Sequence, residues 1–468
     1  MLNQRSSIAL PFALISMVGC SNQAVPQPEP AFDVAATEMR ADLTQLHDLV
    51  CERWAYLETS RSEADLKRVH DRLSAKVTDR TTAPEFAEML EEYISALHDG
   101  HAQVDTRQLK PPSQFTWPIG FAVVENAVVI GNLNWLKDNP TLAIGDELLS
   151  VNGVPVDELI ETEMQKTSAS TNLSRRLLAL DQLHWTDKAT IQIEIERADG
   201  SLIAQEFPCL PGEVDYRFRE PTLFCTTEHL TDKVFLIRVP SFTWNSAEFF
   251  AAQSMEDRER AISAAKDQVD LAFRSIGASQ MLILDLRGNT GGFELLSSYF
   301  VEHLVEGDFL YYTTTRRDTS LVRDLPGANT AEFGNAQPQY PRQWQDVRHF
   351  TGPPYVGPTV VLIDSRCFST TDNLCAFLKD SRPQTRFVGM PTGAGTGEPM
   401  TVGHLKHSGV AVQFCISRIH SPQGRLIEGA GTIPDVLVNR TQSDIIARRD
   451  TAMEAAINEL ENWETRRR

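Results

Sequence analysis

The sequence lacks two features that would define whole classes of protein: an excess of positive charge and a long apolar run. Its 468 residues contain 44 Lys and Arg against 63 Asp and Glu, which gives a formal net charge of −19. Such an acidic chain argues against generic binding to polyanions and against nucleic acid as a partner. No apolar run reaches the roughly 18 residues that a membrane-spanning helix requires.

Cysteine pairs at metal-binding spacing and internal repeats are absent as well. Because no CxxC pair and no His/Cys cluster with zinc spacing occurs, no metal ion or organic cofactor is implied. The cysteines are expected to be buried thiols or structural disulfides, and the sequence does not choose among the possible pairings. Those that follow Cys20 are Cys51, Cys209, Cys225, Cys367, Cys375 and Cys415.

The chain does contain enough apolar sequence to form buried cores. Hydrophobic residues make up 41% of it and aromatic residues 8%. At roughly 150 residues per domain, the length suggests about three domains. These values exclude a disordered or fibrous protein and indicate a globular one.

The N-terminal segment has the pattern of an export signal. An apolar tract at residues 8–19 follows a short stretch whose only charge is Arg5, which is typical of a signal peptide. Residues 17–20 read Met-Val-Gly-Cys and resemble the lipobox of bacterial lipoproteins. We interpret residues 1–20 as a lipoprotein signal peptide with Cys20 as the lipidation site, and residues 21–35 as a Pro-rich tether. A periplasmic or outer-membrane lipoprotein is expected, with a plain secreted protein as the alternative.

Residues 36–110 are predicted to form a helical N-terminal domain. The clearest helix covers residues 83–98, where apolar residues recur at helical spacing. Thr82 matches the start of a capping box, and Gly100 is expected to end the helix. His101 should therefore emerge just beyond a helix end.

Residues 111–210 change to short β-like runs and are predicted to form an inserted β domain. Residues 191–195 alternate between apolar and polar side chains, as a half-buried strand does. Ile-Gly-Phe at 119–121 and Gly-Asp-Glu-Leu-Leu-Ser-Val-Asn-Gly at 145–153 resemble motifs of a PDZ domain. The resemblance implies capture or gating of an extended peptide by strand addition.

Strands and helices alternate from residue 211 to 442, which predicts a layered α/β core. Residues 281–286 and 359–363 are predicted to be buried strands. Residues 313–355, which are rich in Pro, Gly and Asn, are predicted to be a long surface loop. Residues 443–468 are predicted to close the chain as one amphipathic helix.

Two strand-turn-helix segments of this core are candidates for chemistry. Residues 285–292 run from a strand into a Gly-rich turn whose backbone N–H groups could bind an anion. A phosphate loop is excluded because no Gly-Lys-Ser/Thr follows. In the second segment Ser369 precedes a helix, where serine is commonly only an N-cap but where an oxyanion would also be stabilised.

Together these segments resemble the tail-specific, or C-terminal processing, serine peptidases. The family's strand-DLRGNxGG-helix element corresponds to residues 284–292, and its strand-turn-Ser-helix element surrounds Ser369. Phe-Val-Gly at 387–389, Pro-Thr-Gly at 391–393 and an EGxGxxPD-like motif at 428–435 follow in the family's order. The resemblance implies an α/β, multidomain protein: a crotonase/Clp-like layered core with a helical N-terminal region and the inserted PDZ-like domain.

The resemblance further implies that Ser369 is a nucleophile. Many members of the family use a lysine base in a segment that contains no lysine in this chain, residues 392–397. The other subgroup resembles the tricorn core protease, and its DGH-like and EGxGxxPD-like motifs correspond here to His101 and Glu428. His101 would accept the serine proton, and Glu428 would orient the imidazole.

The implied function is an exported serine endopeptidase that hydrolyses peptides or unfolded protein chains through an acyl-enzyme on Ser369. Backbone N–H groups of Thr370 and of Gly291 or Gly292 would form the oxyanion hole. Peptide or unfolded protein is the expected partner, besides the membrane that holds the lipid anchor. The sequence does not predict the oligomeric state.

Three alternatives stay open. A catalytically inactive protein on the same scaffold would bind a peptide or small ligand, as retinoid-binding relatives with this core do. Lys406 could serve as the base if another element brought it to Ser369. His98 and His101 could ligate a metal, although no third ligand is evident.

Overall fold

The computed structural model describes residues 34–467 except 111, 126, 134–140, 213–221, 278–280, 320–334 and 342–346. The predicted signal peptide with Cys20, and most of the predicted tether, lie outside the described residues. Among the described helices, none combines the length and the apolar character that crossing a membrane requires.

Helices occur in the N-terminal part, the middle and the C-terminal part of the described chain. Their bounds are α1 (Ala36–Arg53), α2 (Glu63–Lys76), α3 (Ala83–Ser95), α4 (Val156–Met164), α5 (Asn172–Gln182), α6 (Ser246–Ala251), α7 (Met255–Ile276), α8 (Glu294–Glu302), α9 (Thr370–Ser381), α10 (Gln442–Ile446) and α11 (Thr451–Arg467).

The strands begin after α3 and are mostly short. Their bounds are β1 (Gln103–Asp105), β2 (Phe115–Thr116), β3 (Gly120–Val124), β4 (Ala127–Asn132), β5 (Glu147–Val151), β6 (Val154–Pro155), β7 (Trp185–Thr186), β8 (Thr190–Glu196), β9 (Leu202–Pro208), β10 (Leu210–Pro211), β11 (Thr226–His229), β12 (Val234–Arg238), β13 (Met281–Asp285), β14 (Tyr312–Arg316), β15 (Gln337–Gln339), β16 (Thr359–Ile363), β17 (Thr385–Gly389), β18 (Pro399–His404), β19 (Ala411–Cys415), β20 (Ser417–His420) and β21 (Val436–Leu437).

The core is a sheet with the strand order β11-β12-β13-β16-β17-β21. β11 runs antiparallel to β12, and the other neighbours are parallel. Every residue of β13 and β16 is buried, because α7, α8 and α9 cover one face of the sheet and α11 covers the other. Strands buried on both faces have continuous apolar sequences, as these do. The predicted mixed α/β fold class is confirmed.

The N-terminal helices α1 to α3 form a separate apolar core against β18 and β19. Thr82 opens the predicted capping box of α3. The helix ends at Ser95, so the prediction that Gly100 ends it was wrong. The chain leaves the helix and passes through His98, which has a φ of 56°. It then enters β1, which pairs with β19, and His101 lies on this link between α3 and β1.

The inserted region contains a second sheet with the order β3-β4-β5-β8-β9, and β6 pairs with β5. Burial alternates along β8 from Thr190 to Glu196, as predicted for a half-buried strand. The buried side chains of α4 and α5 share one apolar cluster with those of this sheet. The assignment of this region as a PDZ domain stays a prediction.

Two predicted elements differ from the structure. The predicted surface loop at 313–355 contains β14 and β15, and β14 pairs with β20. The predicted C-terminal helix at 443–468 is divided into α10 and α11, with Arg448 at a φ of 54° between them. Ile445 of α10 packs against the second sheet, whereas α11 packs against the core sheet. The helix break therefore lets α10 pack against the second sheet and α11 against the core sheet.

The cysteines from Cys51 onward are free thiols, so the disulfide alternative was wrong. Cys367, close to Ser369 in the sequence, is fully buried. Its Sγ donates to Leu286 O over 3.1 Å, and burial raises the pKa of the thiol. A buried, protonated thiol is a poor nucleophile, which leaves Ser369 as the candidate in this turn.

Candidate active site

The two segments singled out from the sequence follow neighbouring strands of the core sheet. β13 pairs in parallel with β16, with Asp285 opposite Leu362. Both strands therefore end at the same edge of the sheet, and the turns that follow them lie side by side. Gly288 N donates to Asp364 Oδ1 over 3.0 Å, which joins the two turns directly.

The buried residue Asn289 stabilises the Gly-rich turn through hydrogen bonds. Its Nδ2 donates to Val239 O over 3.0 Å. Its Oδ1 accepts from Gly291 N over 2.9 Å and from Thr371 Oγ1 over 2.8 Å. Its backbone carbonyl accepts from Phe368 N over 3.2 Å. One fully buried side chain thus links the end of β12, the turn and the start of α9.

Gly291 is required by the close approach of this turn to Ser369, and Gly292 by its close approach to Phe242. Their φ values are 97° and 141°, which side chains disfavour. A Cβ on Gly291 would lie 2.8 Å from Ser369 Cβ, and one on Gly292 would lie 2.3 Å from the carbonyl carbon of Phe242. The turn can therefore pack against both Ser369 and Phe242 only without side chains at these positions.

Ser369 has a backbone conformation that few residues other than glycine adopt. Its φ is 60° and its ψ is −124°. The side chain makes no capping hydrogen bond to α9, so the alternative that Ser369 is an ordinary N-cap was wrong. Ser369 Oγ instead lies 3.0 Å from Nε2 of His101. The strained turn presents the hydroxyl to the imidazole, as in a strand-to-helix nucleophile turn.

The predicted oxyanion donors differ in their availability. Gly291 N donates to the Asn289 side chain over 2.9 Å, so this predicted donor is not free. Within the described part of the chain, Thr370 N and Gly292 N make no hydrogen bond. Thr370 directly follows Ser369 at the N-terminus of α9, and Gly292, in the Gly-rich turn, accepts from Thr370 Oγ1 through its carbonyl over 2.9 Å. Both N–H groups are therefore candidates to bind an anion.

Contacts from three elements hold His101 beside the serine. The backbone N of His101 donates to Asp99 Oδ1 over 2.9 Å. Asp99 Oδ2 accepts from Trp54 Nε1 over 2.9 Å and from Cys415 N over 3.1 Å. The Phe368 ring lies against the imidazole with 4.5 Å between ring centroids. The imidazole is therefore positioned by α1, β19 and the turn that carries the serine.

The protonation state of His101 suits a general base. Burial lowers the pKa of His101 from its ordinary value, and the Asp99 carboxylate partly opposes the shift. The imidazole is therefore neutral near pH 7, the state in which it can accept a proton. Its Nδ1 is buried and has no hydrogen-bond partner among the described residues. An acceptor facing Nδ1 would hold the tautomer in which Nε2 is free to accept.

Glu428, the third predicted residue, is buried in the same region but makes no hydrogen bond to the imidazole. Its Oε2 accepts from Thr396 N over 2.7 Å, and its Oε1 has no hydrogen-bond partner in the portion of the chain described. Burial raises the pKa of Glu428 well above its ordinary value, and the Asp99 carboxylate raises it further. The structure thus brings Ser369 and His101 together and leaves Glu428 without a direct bond to the ring.

A chain of hydrogen bonds connects Thr370, next to the serine, with Glu428. Glu294 Oε1 accepts from Thr370 Oγ1 over 3.0 Å and from Asn373 Nδ2 over 2.6 Å. Asn373 Oδ1 accepts from Thr396 Oγ1 over 2.6 Å, and Thr396 N reaches Glu428. Sequence reasoning missed Glu294 and Asn373. The signal that could have found Glu294 is its position directly after the Gly-rich turn.

Replacing Glu294 by glutamine is expected to stabilise the protein above neutral pH. Burial raises the pKa of Glu294 to about 7, so the folded protein retains a proton that the unfolded chain releases at lower pH. The contribution of Glu294 to stability is therefore greatest at acidic pH and is lost as the pH rises through 7. Glutamine stays neutral, and its free energy of unfolding should exceed that of wild type by up to about 3 kcal/mol at pH 8.5.

Urea denaturation at pH 4.5 and pH 8.5 measures this difference. Glu248→Gln, at an exposed position of α6, is the matched control and should match wild type at both pH values. Equal unfolding free energies for Glu294→Gln and wild type at pH 8.5 would contradict the prediction.

The lysine and histidine alternatives are not supported by the positions of their side chains. Lys379 pairs with Asp435 over 2.7 Å, and Lys406 is exposed in the turn between β18 and β19. Arg61 Nη2 lies 2.9 Å from Nδ1 and 2.6 Å from Nε2 of His98. His98 thus faces an arginine, which disfavours a bound cation.

Asp99, His101 and Cys415 form a group whose potential metal-ligating atoms lie within 4.8 Å of one another. Both oxygens of Asp99 already accept hydrogen bonds from N–H groups. Burial raises the pKa of the Cys415 thiol, and its Sγ donates to Asp99 Oδ1 over 3.5 Å. A protonated thiol does not ligate a metal, so we interpret the group as a hydrogen-bonded support for His101.

Comparison with protein families identifies the core. Residues 233–438 match peptidase family S41. This range includes both turns, Ser369 and Glu428, whereas His101 precedes it. None of the curated proteins compared with the chain matches it.

Solved structures share the fold over most of the chain. Mature CPAF complexed with lactacystin is 16% identical and has a TM-score of 0.68, and the match covers 91% of this chain and 98% of that chain. A second structure of mature CPAF is 17% identical, with a TM-score of 0.67 and coverage of 88% and 94%. The photosystem II D1 C-terminal processing protease is 15% identical, with a TM-score of 0.45 and coverage of 89% and 98%. The likeness to CPAF shows a common fold that extends beyond the matched core.

Proposed function

We propose that the chain, whose residues 233–438 match peptidase family S41, is a serine peptidase that cleaves peptides or unfolded protein chains through an acyl-enzyme on Ser369. The observation that carries the proposal is the distance of 3.0 Å between Ser369 Oγ and His101 Nε2. The core supplies the nucleophile and the N-terminal region supplies the base. We therefore place the substrate where these two parts of the chain meet.

In the proposed reaction, the neutral imidazole of His101 accepts the Ser369 proton as Oγ attacks the peptide carbonyl carbon. The tetrahedral intermediate then collapses, the C–N bond breaks, and His101 returns the proton to the leaving amine. A water that gives a proton to the same imidazole then attacks the acyl carbon, the ester C–O bond breaks, and His101 returns the proton to Ser369 Oγ as the carboxylic acid product leaves. General-base assistance of this kind is worth about 10²–10⁴ in rate.

We propose Thr370 N and Gly292 N as the oxyanion donors. Both N–H groups lack partners in the described chain. Thr370 directly follows Ser369, and Gly292 is bonded to Thr370 through its carbonyl. Thr370 also begins α9, so the helix dipole favours negative charge at this point. Each donor in such a site is typically worth about 10²–10³ in rate.

Glu428 is proposed as the carboxylate that orients His101, which would make the site a Ser-His-Glu triad. Nδ1 of His101 and Oε1 of Glu428 are both buried without partners in the described chain. When Nδ1 carries the imidazole proton it is a donor, and the carboxylate oxygen Oε1 is an acceptor. Asp99 is a second nearby carboxylate, but its oxygens are occupied by N–H donors. Catalytic hydrogen bonds are often long before substrate binds and shorten in the complex.

The second sheet is proposed to bind the substrate as an added strand, as a PDZ-like domain would. β3 lies at the edge of the sheet, where an extended peptide can pair with backbone N–H and C=O groups. Hydrogen exchange of Gly120–Val124 should slow when an unfolded substrate binds Ser369→Ala. Unchanged exchange along β3 would remove this part of the proposal.

Fluorophosphonate labelling and hydrolysis of unfolded casein test the peptidase activity. Wild type should be labelled on Ser369, as peptide mapping would show, and should degrade casein between pH 6 and 9. No labelling and no hydrolysis over this range would instead support a catalytically inactive binding protein on the same scaffold.

Export and lipid anchoring are proposed from residues 1–20 alone. The supporting pattern is the apolar tract that ends at Cys20. Cys20→Ser should abolish incorporation of labelled fatty acid when the full chain is produced in a Gram-negative bacterium. Equal incorporation in both proteins would contradict the anchor.

A further inference from the structure

A loop of the inserted region reaches the catalytic residues. It spans residues 165–171, between α4 and α5. Ser168 Oγ donates to Asp99 O over 2.7 Å, and Gly100 N donates to Ser170 Oγ over 3.1 Å. Both contacts are to the residues directly before His101. The inserted region therefore holds the backbone that carries the proposed base.

Ser170 occupies space that is open because residue 100 has no side chain. A Cβ on Gly100 would lie 2.9 Å from Ser170 Oγ. The hydroxyl oxygen accepts from Gly100 N, and a serine hydroxyl has one proton of its own to donate. That proton is available to an acceptor in the same buried region.

The acceptor that we assign to the Ser170 hydroxyl is the carboxylate of Glu428. Its Oε1 is buried and has no hydrogen-bond partner among the residues described. The Ser170 hydroxyl lies close enough to lower the pKa of this carboxyl, against the larger effect of burial. A buried polar atom left unpaired is unfavourable, so a small movement that makes this bond is favourable.

We propose that Ser170 is a positioning residue that donates a hydrogen bond to Glu428 and holds its carboxylate toward His101. The inference rests on the proposed function, because it assigns Glu428 a role in catalysis. A carboxylate as deeply buried as this one needs donors to stay ionised, and Thr396 N supplies one. Ser170 supplies the second, so the inserted region completes the active site of the core.

The docking of α5 does not depend on this hydrogen bond. Arg366 pairs with Asp181 through contacts of 2.7 and 3.0 Å. Ser174 Oγ donates to Ser365 O over 3.3 Å. These contacts keep the loop in place when Ser170 is changed, so variants at this position report on the hydroxyl rather than on docking.

Steady-state hydrolysis across the pH range tests the inference. Ser170→Ala should lower kcat about 10- to 100-fold, the usual worth of a hydrogen bond to a charged group, with KM within about twofold of wild type. The acid limb of kcat/KM, which His101 sets in wild type, should extend to higher pH in this variant, because Glu428 without this donor ionises at higher pH and adds a second protonation that lowers the rate. Ser170→Thr retains the hydroxyl, so its kcat and the pH of its acid limb in kcat/KM should be close to those of wild type.

Ser174→Ala is the matched control for docking, since it removes a nearby hydroxyl, on α5, that has no hydrogen bond to Glu428. It should leave the acid limb of kcat/KM in its wild-type position. An unshifted limb and an unchanged kcat in Ser170→Ala would overturn this inference while the peptidase proposal stands. Wild type without hydrolysis or labelling would overturn both.

Discussion

Ser369→Ala is expected to lower kcat by about 10⁴-fold or more and to abolish fluorophosphonate labelling. The hydroxyl is the group that forms the acyl-enzyme, and the turn that carries it is strained, with a φ of 60°. The neighbouring thiol of Cys367 cannot replace it, because that thiol is buried and donates to Leu286 O. Initial rates of casein hydrolysis and gel-based labelling measure the two effects.

The matched control is Ser298→Ala, which removes a buried hydroxyl from α8 whose partner is Leu295 O. It should retain labelling and activity close to those of wild type. Circular dichroism should show that Ser369→Ala is folded, since its hydroxyl makes no cap contact with α9. Hydrolysis by folded Ser369→Ala at the wild-type rate would exclude Ser369 as the nucleophile.

His101→Ala is expected to lower kcat by about 10⁴-fold with little change in KM, because the base acts on the serine proton and not on substrate binding. Burial lowers the pKa of His101, so the acid limb of kcat/KM in wild type should lie below the ordinary imidazole value. The residual rate of His101→Ala should rise with hydroxide concentration and lack this limb. A pH-rate profile of both proteins measures the change.

Lys406→Ala separates the imidazole base from a lysine base. Lys406 is exposed beside α1, where its backbone N donates to Gln45 Oε1 over 2.8 Å, so the variant should keep wild-type activity. An active His101→Ala together with an inactive Lys406→Ala would replace the proposed triad by a Ser-Lys dyad.

The order of the elements could be predicted because local patterns determine them. β13 and β16 are apolar throughout, which is the pattern of strands covered on both faces, and Thr82 begins a capping box that the structure contains. Boundaries that depend on distant contacts could not be predicted. The helix break at Arg448 arises because α10 packs against one sheet and α11 against another, which no periodicity within 443–468 encodes.

The same limit applies to the site. The family resemblance identified Ser369, His101 and Glu428, but not how close their side chains would lie. Only the packing of α3 and β1 against the core places the imidazole 3.0 Å from the serine. The support from Asp99 and Ser170 also depends on contacts between residues far apart in the chain, which a single sequence does not reveal.

The sequence by itself determined the α/β class, the two strand-turn-helix segments and the chemical character of the residues in them, because each follows from short-range pattern and side-chain type. The tertiary structure alone decided which N–H groups are free, which carboxylates are buried and where the inserted loop meets Gly100. Those properties arise from burial and from contacts across hundreds of residues, where the energies of hydrogen bonds and desolvation are set by neighbours that the local sequence does not specify.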